Sequence, residues 1–263
     1  MDIVIVMLAG FLSAVIKTGV GVGSGIFLLP VLSLVFPAKI ALGLGAPIML
    51  TSDLAGLPFY WRQWLPARDL LRLLLAAVPG LVLGILLLPL IPNGVFRVCV
   101  GLFGMLYSIS LLWPGFPVAV MLRRLMAGLD ARFGRAAQAE GDAAPAPNRF
   151  GAWFYGCLGG FSTVLAHAGG LVWSLYLVTA AGNRRIFVGT MVLMFSLTNI
   201  YKTVAYVWSD IISLETMLTA LPAVPAIIAG SWVGNWLNNR CDTARFRKIV
   251  LCMIFAVSLS LCL

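Results

Sequence analysis

Apolar residues run along this chain in long unbroken stretches, without the alternation of a strand or the polar stripe of a surface helix. No charge falls between Arg72 and Arg97, between Arg97 and Arg123, or between Glu215 and Arg240. A bilayer-spanning helix needs about 20 predominantly apolar residues, so each stretch predicts a crossing helix. Strands of a membrane barrel would alternate, and these do not. The pattern predicts apolar segments at 3–36, 40–61, 68–91 and 95–114, then at 151–182, 186–208, 214–237 and 243–262. The expected fold is all-α, a polytopic membrane protein.

The two sets of segments repeat one another. Gly10-Phe11 recurs as Gly160-Phe161 at an offset of 150. Gly43, Tyr60, Val78-Pro79, Gly84 and Asn93 recur at an offset of 146, as Gly189, Tyr206, Val224-Pro225, Gly230 and Asn239. Phe96-Arg97 matches Phe246-Arg247, again at 150. This predicts a first transmembrane repeat over 1–114 and a second over 150–263, joined by 115–149, an organisation common in secondary transporters. Each repeat opens with a long, Gly-interrupted segment and continues with three ordinary spans. As one helix, residues 3–36 would extend roughly 50 Å, beyond a hydrocarbon core of about 30 Å. The segment therefore breaks, either as one bent span or as a hairpin returning to its own side.

Charge on the loops discriminates between these. Arg123, Arg124, Arg132, Arg135 and Arg149 place the central loop in the cytoplasm. The loop with Arg62, Arg68 and Arg72 then faces the same way. If 151–182 crossed once, Arg184, Arg185, Arg240, Arg245, Arg247 and Lys248 would all face outward. If it returns, all six face inward and the Asp210–Glu215 loop faces out. The hairpin fits the rule and makes the repeats inverted, with both termini outside. Met121, Leu122, Leu125, Met126, Leu129 and Phe133 in the connector recur at helical spacing among arginines, predicting an amphipathic helix on the inner surface. The stretch AEGDAAPAPN reads as a flexible linker.

Composition agrees. Only 10% of residues are charged and 61% are hydrophobic, where a soluble domain carries about 25% charged residues. The net charge of +9 reads as loop lysines and arginines rather than as a nucleic-acid surface, and no nucleic-acid module is present. Cys99, Cys157, Cys241, Cys252 and Cys262 form no CxxC pair, so they predict neither a redox nor a metal site. The N-terminus lacks a basic leader and a cleavage site, so it is not expected to be a removable signal. Trp61, Trp64, Trp113, Trp153, Trp208 and Trp236 lie near span ends and predict interface anchors; Trp173 lies nearer the second hairpin turn.

The candidate chemistry lies in the two glycine-broken turns. The first runs through Lys17, Thr18, Gly19, Val20, Gly21, Val22, Gly23, Ser24 and Gly25. Alternating glycines hold a helix poorly and can present backbone N–H groups, while the helix restarting at Ile26 offers the positive end of its dipole to an anion. The alternative is that these glycines only let helices approach closely. The second turn is Ala166-His167-Ala168-Gly169-Gly170, and His167, the only histidine, falls on Lys17 at offset 150. It is either a packing residue or a basic partner to Lys17 at matching depth; Ser162, Thr163 and Ser174 are further donors. In the following spans Asp53 matches Asn199 at offset 146, and Lys202 lies one turn beyond. Ionisable groups inside a membrane default to a functional reading. Asp53 either carries a coupling proton or neutralises Lys17 or Lys202.

GFLSAVIKTGVGVGSGIFLLPVL resembles the glycine-rich opening of the sulfite exporter TauE/SafE family, and FSTVLAHAGGLVWSLYL with RRIFVGTMVLMFSLTNIYK resembles its second-half signature. Leu171 stands where family members often have proline after His-Ala-Gly-Gly. The resemblance implies a secondary transporter of sulfite or organosulfonates in a bacterial inner membrane. With one histidine and no acidic pair beside it, the chain is not expected to be an enzyme, and no cofactor is expected. Its substrate would be held by Lys17, Thr18, Gly21, Gly23, Ser24, Gly25, His167, Gly169, Gly170, Asn199 and Lys202, with Asp53 or His167 coupling transport to a proton, or with sodium as the coupling ion. The expected partners are a small anion and membrane lipid. The alternatives are an anion channel, a transporter of another small anion and, less in keeping with these residues, a membrane-embedded enzyme.

Overall fold

A computed structural model describes residues 2–113, 115–117, 120, 121, 124, 149–180, 184–240 and 243–263. The predicted amphipathic helix and linker of the connector lie outside these residues, apart from a few isolated positions. Among the described residues every element is helical. In chain order the α-helices begin with α1 (Asp2–Val20), α2 (Ser24–Ser33), α3 (Ala38–Gly56), α4 (Ala67–Leu87) and α5 (Asn93–Leu112). They continue with α6 (Arg149–Ala166), α7 (Gly169–Ala180), α8 (Arg184–Trp208), α9 (Leu214–Ala220), α10 (Ala223–Arg240) and α11 (Thr243–Cys262). Among the described residues five helical stretches are long and apolar enough to cross a membrane, or six if the bent pair α9–α10 is one span. The chain is an all-α polytopic membrane protein, and the predicted segments match the helices to within a few residues. The span predicted over 214–237 is broken by a 48° bend. Pro222, which has no N–H and crowds the preceding turn, sits in that break.

Helix directions follow from which residues touch. Gly43, near the start of α3, packs on the Ile211 carbonyl just beyond α8. Gly189, near the start of α8, packs on the Gln63 carbonyl just beyond α3. So α3 and α8 are antiparallel. The neighbours of Gly101 and Gly104 place α5 antiparallel to α11. By contrast α1 runs parallel to α10, with Gly10 on Ile227 and Gly234 on Thr18, and α4 runs parallel to α6, with Gly156 on Ala76 and Gly84 on Val164.

These directions decide between the two readings of the long opening segments. Ile3 of α1 lines one groove with Leu214 and Leu218, so α1 starts at the Asp210 end. α3 starts at that end too, against Ile211. α1 runs to the opposite end, where the Tyr60 hydroxyl donates to the Thr18 carbonyl at 2.5 Å. α1 and α2 are therefore a re-entrant hairpin, a long arm of about 28 Å and a short one of about 15 Å at 1.5 Å per residue. The same holds for α6 and α7, since α6 and α8 both begin at the Arg62 end. Arg62, Arg68, Arg72, Arg149, Arg184, Arg185 and Arg240 collect at that end, and Asp210 and Glu215 at the other.

The paired contacts also correct two alignments. Gly80 meets Cys157 and Phe161 while Gly230 meets Phe11 and Ala14; Gly84 meets Val164 while Gly234 meets Thr18. In α4 and α10 the equivalent positions thus differ by 150, so Gly84 answers to Gly234 rather than to Gly230. In α1 and α6 they differ by 146, so Gly10 answers to Gly156 rather than to Gly160. Each error is four residues, about one helical turn, which leaves small residues on the same face and is invisible in a match of letters.

Candidate functional site

The site begins at the two chain breaks. α1 continues through Gly19 and ends at Val20; only Gly21 (φ 86°) and Gly23 (φ 95°) take left-handed backbone. Four alternating glycines were expected to disrupt the helix, but two suffice, and Ser24 and Gly25 already belong to α2. An added Cβ at Gly23 would meet nothing closer than the Tyr107 hydroxyl at 3.7 Å, so the demand for glycine there comes from the backbone alone. Gly23→Ala is expected to cost about 1–2 kcal/mol, read as a lower thermal midpoint of the detergent-purified protein; an unchanged midpoint would contradict the assigned conformation.

In the second hairpin the left-handed residue is His167 itself (φ 50°). At the 146 offset of these helices His167 answers to Gly21, and Lys17 answers to Thr163. The expectation that Lys17 and His167 occupy equivalent positions is therefore corrected. They come together for a different reason, because the hairpin tips touch. A Cβ on Gly25 would collide with the His167 carbonyl and Cβ, and one on Gly45 would lie 2.7 Å from its Nε2.

Around this contact lies a buried polar cluster. Lys17, Asp53, Asn199, Lys202 and His167 are all at most 4% exposed. Lys17 Nζ is 2.5 Å from Asp53 Oδ1 and donates to the Met49 carbonyl at 3.3 Å. It also stands 4.9 Å from the centroid of the Phe195 ring, a cation–π contact. Asn199 Nδ2 donates to Asp53 Oδ2 at 2.6 Å, so both carboxylate oxygens are engaged. Lys202 Nζ lies 2.7 Å from His167 Nδ1, and His167 Nε2 lies 3.1 Å from the Leu42 carbonyl. An ammonium only donates, so Nδ1 accepts and the ring proton sits on Nε2, donating to Leu42. Each offset pair thus contributes in its own way: Asp53 and Asn199, equivalent at 146, bond each other directly.

Not every expected residue joins the cluster. The Thr18 hydroxyl donates to the Ala14 and Ser231 carbonyls, which ties α1 to α10. Gly169 packs on Gly159 and Thr163 of α6, and Gly170 on the Phe195 ring. Gly21 rests on Val188. Ser24 reaches only the Met49 sulfur, at 3.9 Å. Ser162 and Ser174 bond carbonyls three residues back in their own helices. Trp173 is fully buried against Phe195 as part of the core. Trp61, Trp113, Trp153, Trp208 and Trp236 are exposed near helix ends, as anchors would be.

Sequence reasoning missed the Asn238 clamp. Its Nδ2 reaches the Thr18 carbonyl at 3.2 Å, the Gly19 carbonyl at 3.0 Å and the Tyr60 hydroxyl at 2.9 Å. It satisfies carbonyls freed where α1 ends. A polar residue at the end of an apolar run was its only signal. Tyr206 donates to the Val164 carbonyl in the other hairpin as Tyr60 does to Thr18.

A glycine-broken re-entrant hairpin from each side of a membrane, meeting over buried lysines, calls for comparison with transport proteins. The sulfite exporter TauE/SafE family matches residues 6–261. The chain belongs to the sulfite exporter TauE/SafE family. No curated protein and no solved structure matches the chain. Membership covers both hairpins and the whole cluster, so the described geometry is that of a TauE/SafE member and of a membrane transport protein.

Proposed function

We propose that this TauE/SafE protein is a secondary transporter of small sulfur-containing anions such as sulfite or organosulfonates, exporting them by alternating access. The observation that carries the reading is Lys202. It is a buried ammonium in a membrane-spanning helix, and among the described residues no carboxylate lies within ion-pairing distance of it. An unpaired buried charge is costly, and a bound anion removes that cost. The first-turn amides of α2 and α7 add donors that no residue of their own helix accepts from. Asp53, engaged by Lys17 and Asn199, fits the role of neutralising Lys17 better than that of a free proton carrier.

The two repeats, over 1–114 and 150–263, would rock against one another about this midplane site. The antiparallel pairs α3–α8 and α5–α11 support inverted repeats, and the arginine-rich end supports a cytoplasmic face at Arg62. In proteoliposomes the protein is expected to show saturable sulfite flux with counterflow. Lys202→Gln is expected to abolish both that flux and the thermal stabilisation by sulfite that linkage requires of a ligand bound to the folded state. Unchanged flux in Lys202→Gln would refute the site.

A further inference from the structure

The cluster also carries a charge count. Lys17 and Asp53 form a pair of opposite unit charges, 2.5 Å apart. Lys202, as an ammonium donating to Nδ1 of a neutral His167 ring, gives that pair one positive charge. Of the other acidic side chains described, Asp69 pairs with Arg72 at the start of α4. Asp210 and Glu215 lie at the far end, on either side of the α8–α9 turn. The described cluster, whose own residues are at most 4% exposed, therefore holds a net single positive charge.

Desolvation makes this count consequential. In water a doubly charged anion would outcompete a singly charged one for a cationic site by simple attraction. Deep in a bilayer the cost of the net charge left after binding dominates. A monoanion leaves the occupied site neutral. A dianion leaves one buried negative charge.

We infer that the site selects monoanions over dianions of the same shape, so that its substrates are sulfonates and hydrogen sulfite rather than sulfate or the sulfite dianion. This rests on the anion-binding reading above and adds charge selection to it. Asp53 sets the count without touching the anion, as a positioning and charge-balancing residue. The Lys17–Asp53 pair can be removed as a unit without changing the count, whereas removing Asp53 alone raises it by one.

The test uses methanesulfonate, a monoanion, and sulfate, a dianion with a similar tetrahedral head, each titrated against the full-length protein in detergent. Binding is read as thermal stabilisation and converted to an apparent Kd. For the natural sequence, sulfate is expected to bind at least about tenfold more weakly than methanesulfonate. Asp53→Asn is expected to reverse the order. The double variant Lys17→Gln with Asp53→Asn is expected to restore the preference for methanesulfonate, whatever its affinity. Equal binding of the two anions by the natural protein, or a double variant that prefers sulfate, would overturn the inference. If neither anion nor sulfite stabilises any form, the anion-binding reading itself fails. If Asp53→Asn does not fold, the natural protein and the double variant still decide the matter.

Discussion

Asp53→Ala is expected to destabilise the protein by about 3–5 kcal/mol, the range for breaking a buried ion pair by deleting one partner. The loss comes less from the attraction removed than from what is left behind. Lys17 Nζ keeps only the Met49 carbonyl at 3.3 Å and the face of Phe195, and Asn199 Nδ2 loses its acceptor. With Lys202 nearby, the cluster would hold two ammonium groups and no carboxylate. The double variant Lys17→Met with Asp53→Ala removes both charges and is expected to recover most of the loss, since an apolar replacement of a whole buried pair is often close to neutral. Thermal or denaturant unfolding of the purified protein measures both. A single variant as stable as the natural protein would mean that Lys17 finds another partner, and a double variant no better than the single would mean that the pair is not the relevant unit.

The same pair shows how far the sequence alone reaches. A long apolar run with one aspartate is conspicuous, because a charge in a membrane helix needs a reason, and Asp53, Lys17, Asn199 and Lys202 were all legible on that ground. The hairpins were legible from segment length and loop charge together. What the letters could not supply was register. The choice between offsets of 146 and 150 in α1 and α6 turns on one helical turn, and both choices pair glycine with glycine. That choice decides whether His167 stands beside Lys17 by symmetry or, as found, by contact between hairpin tips. Backbone acceptors were equally hidden: the Leu42 and Met49 carbonyls that hold His167 and Lys17 leave no trace in residue type. Asn238 was hidden because its partners on α1 and at Tyr60 are distant in sequence.

Those hairpin tips provide the second large effect. Gly25 lies against the main chain of His167, so a methyl group there meets a carbonyl carbon and oxygen rather than a side chain that can swing away. Gly25→Ala therefore forces the tips apart, and overpacking of a tight contact costs about 1–3 kcal/mol. The functional cost should exceed the structural one. His167 holds Lys202 at 2.7 Å through Nδ1, and its other nitrogen is fixed by Leu42 in α3. Displacing the turn breaks that chain at its centre. Anion binding is expected to fall by at least about tenfold while the Lys17–Asp53 pair, built from α1 and α3, survives; sub-ångström misplacement of supporting groups is enough for losses of this size. Gly45→Ala meets the ring edge of His167, the end of a side chain rather than main chain, and is expected to cost less stability. Comparing apparent Kd with thermal midpoint separates the effects: Gly25→Ala should lose far more affinity than its stability change explains. If both variants lose affinity only in proportion to stability, the contact between the hairpins packs the protein but does not shape the site. A selective loss in Gly25→Ala would instead tie the anion's ammonium partner to the meeting of two re-entrant turns that are far apart in sequence.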